Sequence, residues 1–325
     1  MDPIDIKIKE IAKQEFKNLQ SSQLVLELSG KTVNDVLVNT LRRLSYDYVP
    51  TYAFPSELIT IDKNISVFDN DYMRLRLSEI TIHNITNKIA YLEDKYWKDI
   101  NFSNPNREKH PDDNKILEMY VNVINDTKEV MNVTTEYAKV FENGVELKGK
   151  FDSKFPALII QLRPEGAFSC RCVAALSIGK NNHIFCAAGN GYFDDSGVNK
   201  YNLTLESQGQ MSEYEILYKS CTVMKEKLKL TKELIKNIHN VSNNTLRLEL
   251  KNEDHTLGYM LNEFLQNNKE ILFSGVAKPN LLVDTMIITL SSVNKSPLII
   301  VQETIDYATK IFDNIQNQIK KLGNL

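Results

Sequence analysis

His183 and Cys186 are the residues that come nearest to a nucleophile and its base, three positions apart and close to Gly179-Lys180. A thiolate generated by a neighbouring imidazole could attack a carbonyl, which would make the chain a hydrolase. The sequence supplies no supporting geometry for that chemistry. Cys170-Arg171-Cys172 lacks the two-residue gap of a zinc knuckle. Gly189-Asn190-Gly191 is no dinucleotide fingerprint, because the strand–helix context is missing. There is no metalloprotease His-Glu pair, no P-loop and no aspartate cluster of the kind that holds catalytic magnesium. The chain reads as non-catalytic, with no cofactor and no metal expected.

Composition narrows the field further. The chain has 325 residues, 42% hydrophobic and 25% charged, enough for two or three domains with real cores. A net charge of −3 and a pI near 6.0 leave no overall basic field to hold nucleic acid, so any DNA contact is expected to be indirect. Cysteines at 170, 172, 186 and 221 form no disulfide framework and read as reduced thiols of an intracellular protein. Met1-Asp2-Pro3 begins an acidic, then alternately charged segment that does not read as a signal peptide, and no apolar run reaches the length of a membrane span.

The strongest positional signal is a repeat. Leu24-Val25-Leu26-Glu27-Leu28 returns as Leu246-Arg247-Leu248-Glu249-Leu250. Each copy alternates with period two, as a half-buried strand does, and is followed by a polar turn and an amphipathic helix. Thr32 is the expected cap of the first helix, with Asp35 three residues on, and its apolar positions are Val33, Leu37, Leu41 and Leu44. Asp254 is the expected cap of the second, which carries Leu257, Leu261 and Leu265. The spacing is too long for a solenoid and fits two related halves of a dimer written on one chain.

Other elements are read around these. Residues 1–20 predict a short charged helix or arm, Tyr52–Ile61 a strand, Asp69–Ser78 a helix and Glu79–Ile85 a strand. Residues 84–200 read as an inserted, mainly β domain, and Tyr201–Ser207 as the strand that returns from it. A long helix then carries Leu217, Cys221, Met224, Leu228, Ile235 and Ile238 on one face. Its lysines 225, 227, 229, 232 and 236 read as a solvated surface. After a link at His239–Asn244 come a strand at 245–251, a helix at 255–267, strands near 270–277 and 282–291, and a helix at 297–322. Ile305, Phe312, Ile315 and Ile319 stripe that last helix. Four amphipathic helices, two per half, bury their stripes most economically against one another. The expected fold class is α+β, with dimerisation domains at 1–83 plus 201–240 and at 245–325, and the insert at 84–200.

Asn39-Thr40-Leu41-Arg42-Arg43-Leu44, Val49-Pro50-Thr51-Tyr52-Ala53-Phe54 and Tyr72-Met73-Arg74-Leu75-Arg76-Leu77 resemble the alpha-type subunits of RNA polymerases. These are the bacterial alpha N-terminal domain, the archaeal D subunit and the third subunit of eukaryotic polymerase II. Lys154–Pro164, Ile178-Gly179-Lys180 and Leu205-Glu206-Ser207-Gln208-Gly209 resemble the insert and return strand of that family. Glu253-Asp254-His255-Thr256-Leu257-Gly258, Leu272-Phe273-Ser274-Gly275 and Pro279 resemble its partner, the eleventh subunit or archaeal L. The chain departs from the pattern at Tyr259, where the family commonly has Asn, at Asn280-Leu281, and in having no cysteine before 170, so the metal cluster of some relatives should be absent.

The resemblance implies an assembly platform that docks the two largest polymerase subunits, with small zinc-bearing subunits alongside, no membrane and no homodimer. It implies a large-subunit interface at Asn39, Thr40, Arg42, Arg43 and Pro50, with Arg42 and Arg43 contacting the second-largest subunit, although Arg42 and Arg43 also read simply as exposed arginines. The expected internal pairing surface comprises Leu37, Leu41, Leu44, Asp254, His255, Leu257, Gly258, Leu261, Ile305, Phe312, Ile315 and Ile319. Gly258, costly inside a helix by about 1 kcal/mol, is expected where another helix backbone approaches. The fused layout and the Asn-, Lys- and Ile-rich composition resemble those of large cytoplasmic DNA viruses, which implies host cytoplasm or virion, or the nucleus for a cellular protein. The rival readings are an interaction module unrelated to transcription and the His183–Cys186 hydrolase.

Overall fold

The computed structural model describes residues 3–15, 22–85, 87–236 and 244–325. Alternation along Ser22–Ser29 sends Leu24, Leu26 and Leu28 to one side, where they are buried. This strand lies inside a four-stranded antiparallel sheet ordered Lys7–Glu15, Ser22–Ser29, Lys200–Ser207, Ala188–Gly197. Of residues 1–20, Lys7–Glu15 is therefore a strand, not a helix or free arm, and 1–2 and 16–20 lie outside the described residues. Ile6 and Ile8 go under the sheet, while Lys7, Lys9 and Lys13 stay at its outer edge, where lysines discourage further strand pairing.

Helix α1 spans Asp35–Asp47. Its cap is Asn34, whose side chain accepts from the Leu37 amide at 2.9 Å, and not Thr32. The Thr32 hydroxyl is already engaged, accepting from the Asp5 amide at 3.0 Å. The preceding turn needs Gly30, with φ +131° and the Asp5 carbonyl packed where a side chain would begin. The expected Tyr52–Ile61 strand is broken into Thr51–Ala53 and Ile59–Ile65, because Pro55 and a single 3₁₀ turn at Ser56–Leu58 intervene. Helix α2 runs Asn70–Ser78 behind its cap Asp69. Residues 79–85 are not a strand. His83, Asn84 and Ile85 donate to Lys150, Gly209 and Gln210 rather than along one ladder.

The middle of the chain is largely β. Its main sheet is ordered Ile59–Ile65, Ala167–Val173, Leu117–Ile124, Ala138–Glu142, Val145–Leu147. Two small ribbons join Ala175–Ser177 to Thr51–Ala53 and Met131–Thr134 to Leu158–Leu162. Sheet boundaries therefore do not fall at 84 and 200. The middle sheets recruit two strands from before 84, and Ala188–Gly197 pairs back onto the first sheet.

Helix α3, Glu213–Lys236, buries Leu217, Cys221, Met224, Leu228 and Ile235. Ile238 and the link from His239 to residue 243 lie outside the described residues. The rear half is a three-stranded antiparallel sheet ordered Thr245–Lys251, Thr285–Ser292, Ile271–Ala277. It carries α4 (His255–Gln266) and α5 (Pro297–Gly323). The strand expected from 282 starts at 285, since an Asx turn at Asn280 holds Leu282 and Val283 in a loop. One continuous apolar cluster runs through both halves, as expected of an α+β chain built on paired helices. Among the described residues no helix is long and apolar enough to cross a membrane.

Candidate pairing interface

The four long helices close a ring. Helix α3 packs along α5, α1 packs on α3 and α4, and α4 packs on α5. Two of these seams, α3–α5 and α1–α4, join the front of the chain to its rear. Leu37, Leu41, Leu44, Leu257, Leu261, Ile305, Phe312, Ile315 and Ile319 are all within 1% of complete burial and share one cluster. Gly258 is also buried, but what faces it is the Met286 methyl and a Val276 methyl, 3.1 and 3.2 Å from where a Cβ would sit. Its neighbours are strands of its own half rather than a helix of the other, because α4 lies directly on its sheet.

The α1–α4 seam is antiparallel. At one end the Asn34 amide donates to Glu263 at 3.1 Å, and at the other Arg43 sits 3.6 Å from Asp254. The α3–α5 seam holds a partly buried polar thread. Lys225 reaches Asp313 (2.8 Å) and Gln316 (2.6 Å), and the Gln316 amide donates to the Tyr218 carbonyl and the Thr222 hydroxyl. Gln318 extends the tie, donating to the Ile6 carbonyl and accepting from the Ile8 amide, both at 2.9 Å. The first strand is thereby fastened to the last helix.

The densest chemistry surrounds the turn before α4. The left-handed conformation of Asn252 (φ 60°) turns Glu253 and Asp254 towards the front half. Lys227 of α3 donates to both Glu253 oxygens, at 2.8 and 2.9 Å. Asp254 caps α4 by accepting from the Thr256 amide at 3.0 Å. Its other oxygen accepts from Tyr48 and from Lys180, each at 3.3 Å, with Arg43 alongside. Lys180 also donates to the Tyr48 hydroxyl at 3.0 Å and lies 3.5 Å from Asp284. Three distant stretches thus close on one turn: α1 with Tyr48, the loop bearing Lys180, and α3.

Burial opposes ionisation of Asp254, but Lys180, the Thr256 amide and Arg43 outweigh it and hold the carboxyl down at about 2. For Glu253 burial wins and raises the carboxyl above its ordinary range, against the pull of Lys227. Burial and the neighbouring Asp254 push the Tyr48 hydroxyl far up, so it stays a proton donor. The lysine face of α3 is accordingly not wholly a solvated surface. Lys227 is buried in this clasp, and Lys232 pairs with Asp306 of α5 at 2.5 Å.

The residues expected to meet a large subunit separate. Asn39 and Arg42 are half-buried on the outer side of α1, joined by an Arg42-to-Asn39 hydrogen bond of 3.0 Å. Arg43 turns inward to Asp47 and Asp254. Thr40 is buried, with its hydroxyl donating to the Val36 carbonyl, and Pro50 is buried under the Asn87 amide. Neither offers a surface to another chain. His255 is half-buried and stacks on Tyr259.

The hydrolase pair is not assembled. Exposed His183 bonds Glu79 at 2.8 Å, while Cys186 is buried against Gly179 and burial pushes its thiol up to about 11. Cys170 and Cys172 are buried free thiols. Among the described residues no group of His, Cys, Asp or Glu could hold a metal ion.

A ring of four helices shared by two strand–turn–helix units is the arrangement of a dimerisation module. The RNA polymerase Rpb3/Rpb11 dimerisation domain matches residues 245–318, the rear half of the ring. The likeness extends beyond that domain. Over 98% of its length the chain is 25% identical to a putative DNA-directed RNA polymerase subunit of Acanthamoeba polyphaga mimivirus, covering 97% of that protein.

Proposed function

We propose that this polypeptide is the non-catalytic assembly platform of a multisubunit DNA-dependent RNA polymerase of a large DNA virus, working in host cytoplasm or virion. The front half, from the N-terminus through α3, takes the third-subunit role. Residues 245–325 take that of the eleventh, and the mainly β middle is its insert. The observation that carries this reading is the closed helix ring, whose two inter-half seams bury one continuous apolar cluster and are tied by polar bonds between the halves. A surface so complete leaves no half-interface for a second copy of the chain. Carrying both halves on one polypeptide makes their pairing intramolecular, at an effective concentration of order mM for a short tether.

The largest and second-largest polymerase chains are the proposed partners, with small zinc-bearing subunits beside them. Asn39 and Arg42 are the proposed contacts on α1, since a half-exposed arginine with its planar fork of donors suits a protein interface. Co-expression with the two largest chains of the same polymerase should yield a stoichiometric complex. Recovery of this chain alone under conditions where the two large chains are soluble would overturn the proposal.

A further inference from the structure

A notch of about 450 Å³ opens on the solvent side of the α1–α4 seam, a volume within the usual range for ligand clefts of about 300–1,000 Å³. The notch is made by both halves at once. Asp35, Asn39 and Arg43 of α1 form one wall and His255 and Tyr259 of α4 the other, with Phe193 at one end. It exists only when the halves are paired.

Its chemistry has a sign. Arg43 is already matched by Asp47 and Asp254, each at 3.6 Å. Asp35 is exposed, and no Lys, Arg or His lies within ion-pair distance of it among the described residues. One helix away, Glu263 accepts from the side-chain amides of Asn34 and Asn267 rather than from a cation. Beside this unspent negative charge stand aromatic faces. Tyr259, about half exposed, stacks with His255 at 5.4 Å, and Phe193 meets Tyr201 at 6.1 Å. Two further polar atoms at this wall, His255 Nδ1 and Thr256 Oγ1, are buried without a partner, and buried polar atoms left this way call for a donor or acceptor. Carboxylate and aromatic rings together suit a cationic donor group.

We infer that the notch receives one basic side chain, an arginine by virtue of its flat fork of donors, from one of the two large polymerase chains. This rests on the polymerase reading above and deepens it. The partner would touch both halves with a single residue and so bind only the correctly paired platform. Two of the residues that define the notch, Asp35 and Tyr259, are exposed, so they can be changed without disturbing the core.

The test is competition between labelled wild-type chain and unlabelled variants for the purified pair of large chains, at low and high salt. Asp35→Lys and Tyr259→Ala should each weaken binding about tenfold or more, the first of them less so at high salt. Asp35→Glu and Tyr259→Phe should bind within about twofold of wild type. Circular dichroism of each variant checks that the helices persist. If the wild-type chain binds but Asp35→Lys and Tyr259→Ala bind equally well, the notch proposal is overturned and the platform reading stands. If the wild-type chain itself fails to bind the large chains, both fall.

Discussion

Replacing Lys227 by methionine isolates the charge pair that joins α3 to the turn before α4. Methionine keeps the length and apolar stem of lysine but removes both bonds to Glu253, at 2.8 and 2.9 Å. The two side chains are only 6% and 16% exposed, so the abandoned carboxylate has little access to water. Breaking one side of a buried pair costs about 3–5 kcal/mol, a large part of a typical domain's stability. Burial already raises the Glu253 carboxyl above its ordinary value near 4.5, and losing Lys227 raises it further. A carboxyl raised in the folded state penalises folding at pH values above its unfolded value and stops doing so once both states are protonated. The loss in Lys227→Met should therefore be greatest at pH 8 and shrink as the pH falls towards 5. Adding Glu253→Gln should recover most of it, to within about 1 kcal/mol of wild type. Urea unfolding followed by the single tryptophan, Trp97, reads this out, because the neighbouring Lys98 bonds Asn252 beside the clasp. A cost below about 1 kcal/mol at pH 8, or a double variant no better than the single, would refute the reasoning.

Phe312→Asp places a charge at a fully buried point of the ring and should abolish cooperative unfolding and co-purification with the large chains alike. A soluble, fully paired variant would contradict the role given to the α5 stripe. Asp254→Asn should cost about 2 kcal/mol at neutral pH, since the wild-type carboxyl sits near 2 instead of its usual 3.8. That contribution is present above about pH 4 and lost as pH falls through 2, so wild type and variant should converge in acid denaturation. Cys186 should resist iodoacetamide in the native protein at pH 8 and react only on unfolding, because burial keeps its thiol protonated up to about 11. Rapid native labelling would reopen the hydrolase reading.

What was legible in the residues was periodic. Leu24, Leu26 and Leu28, their echo at Leu246, Leu248 and Leu250, and the stripe from Ile305 to Ile319 all face the core, because solvent exclusion acts on every residue of a repeat. What escaped was contact between segments with no pattern of their own. Tyr48 and Asp254 are 206 positions apart, and nothing near either announces the other. Lys227 looked like one more solvated lysine because its partner lies across a turn that bends only in the fold. The same blindness applies to the ends of elements. Thr32 had the right side chain for a cap, but the N-terminal strand claimed its hydroxyl, and Asn34 took the place. Thr40 and Pro50 stood in a motif that resembles a docking face, and packing closed over both.

The ring also sets a timetable for synthesis. Helices α1 and α3 leave the ribosome with greasy stripes whose counterparts, α4 and α5, are made only later. At ~5–20 residues per second, translating residues 237–325 takes on the order of ten seconds. For that interval the nascent front portion is an adhesive half-product, and two ribosomes on one message hold such half-products side by side. Chaperone capture of the growing chain, or spacing between ribosomes, becomes a condition for its yield.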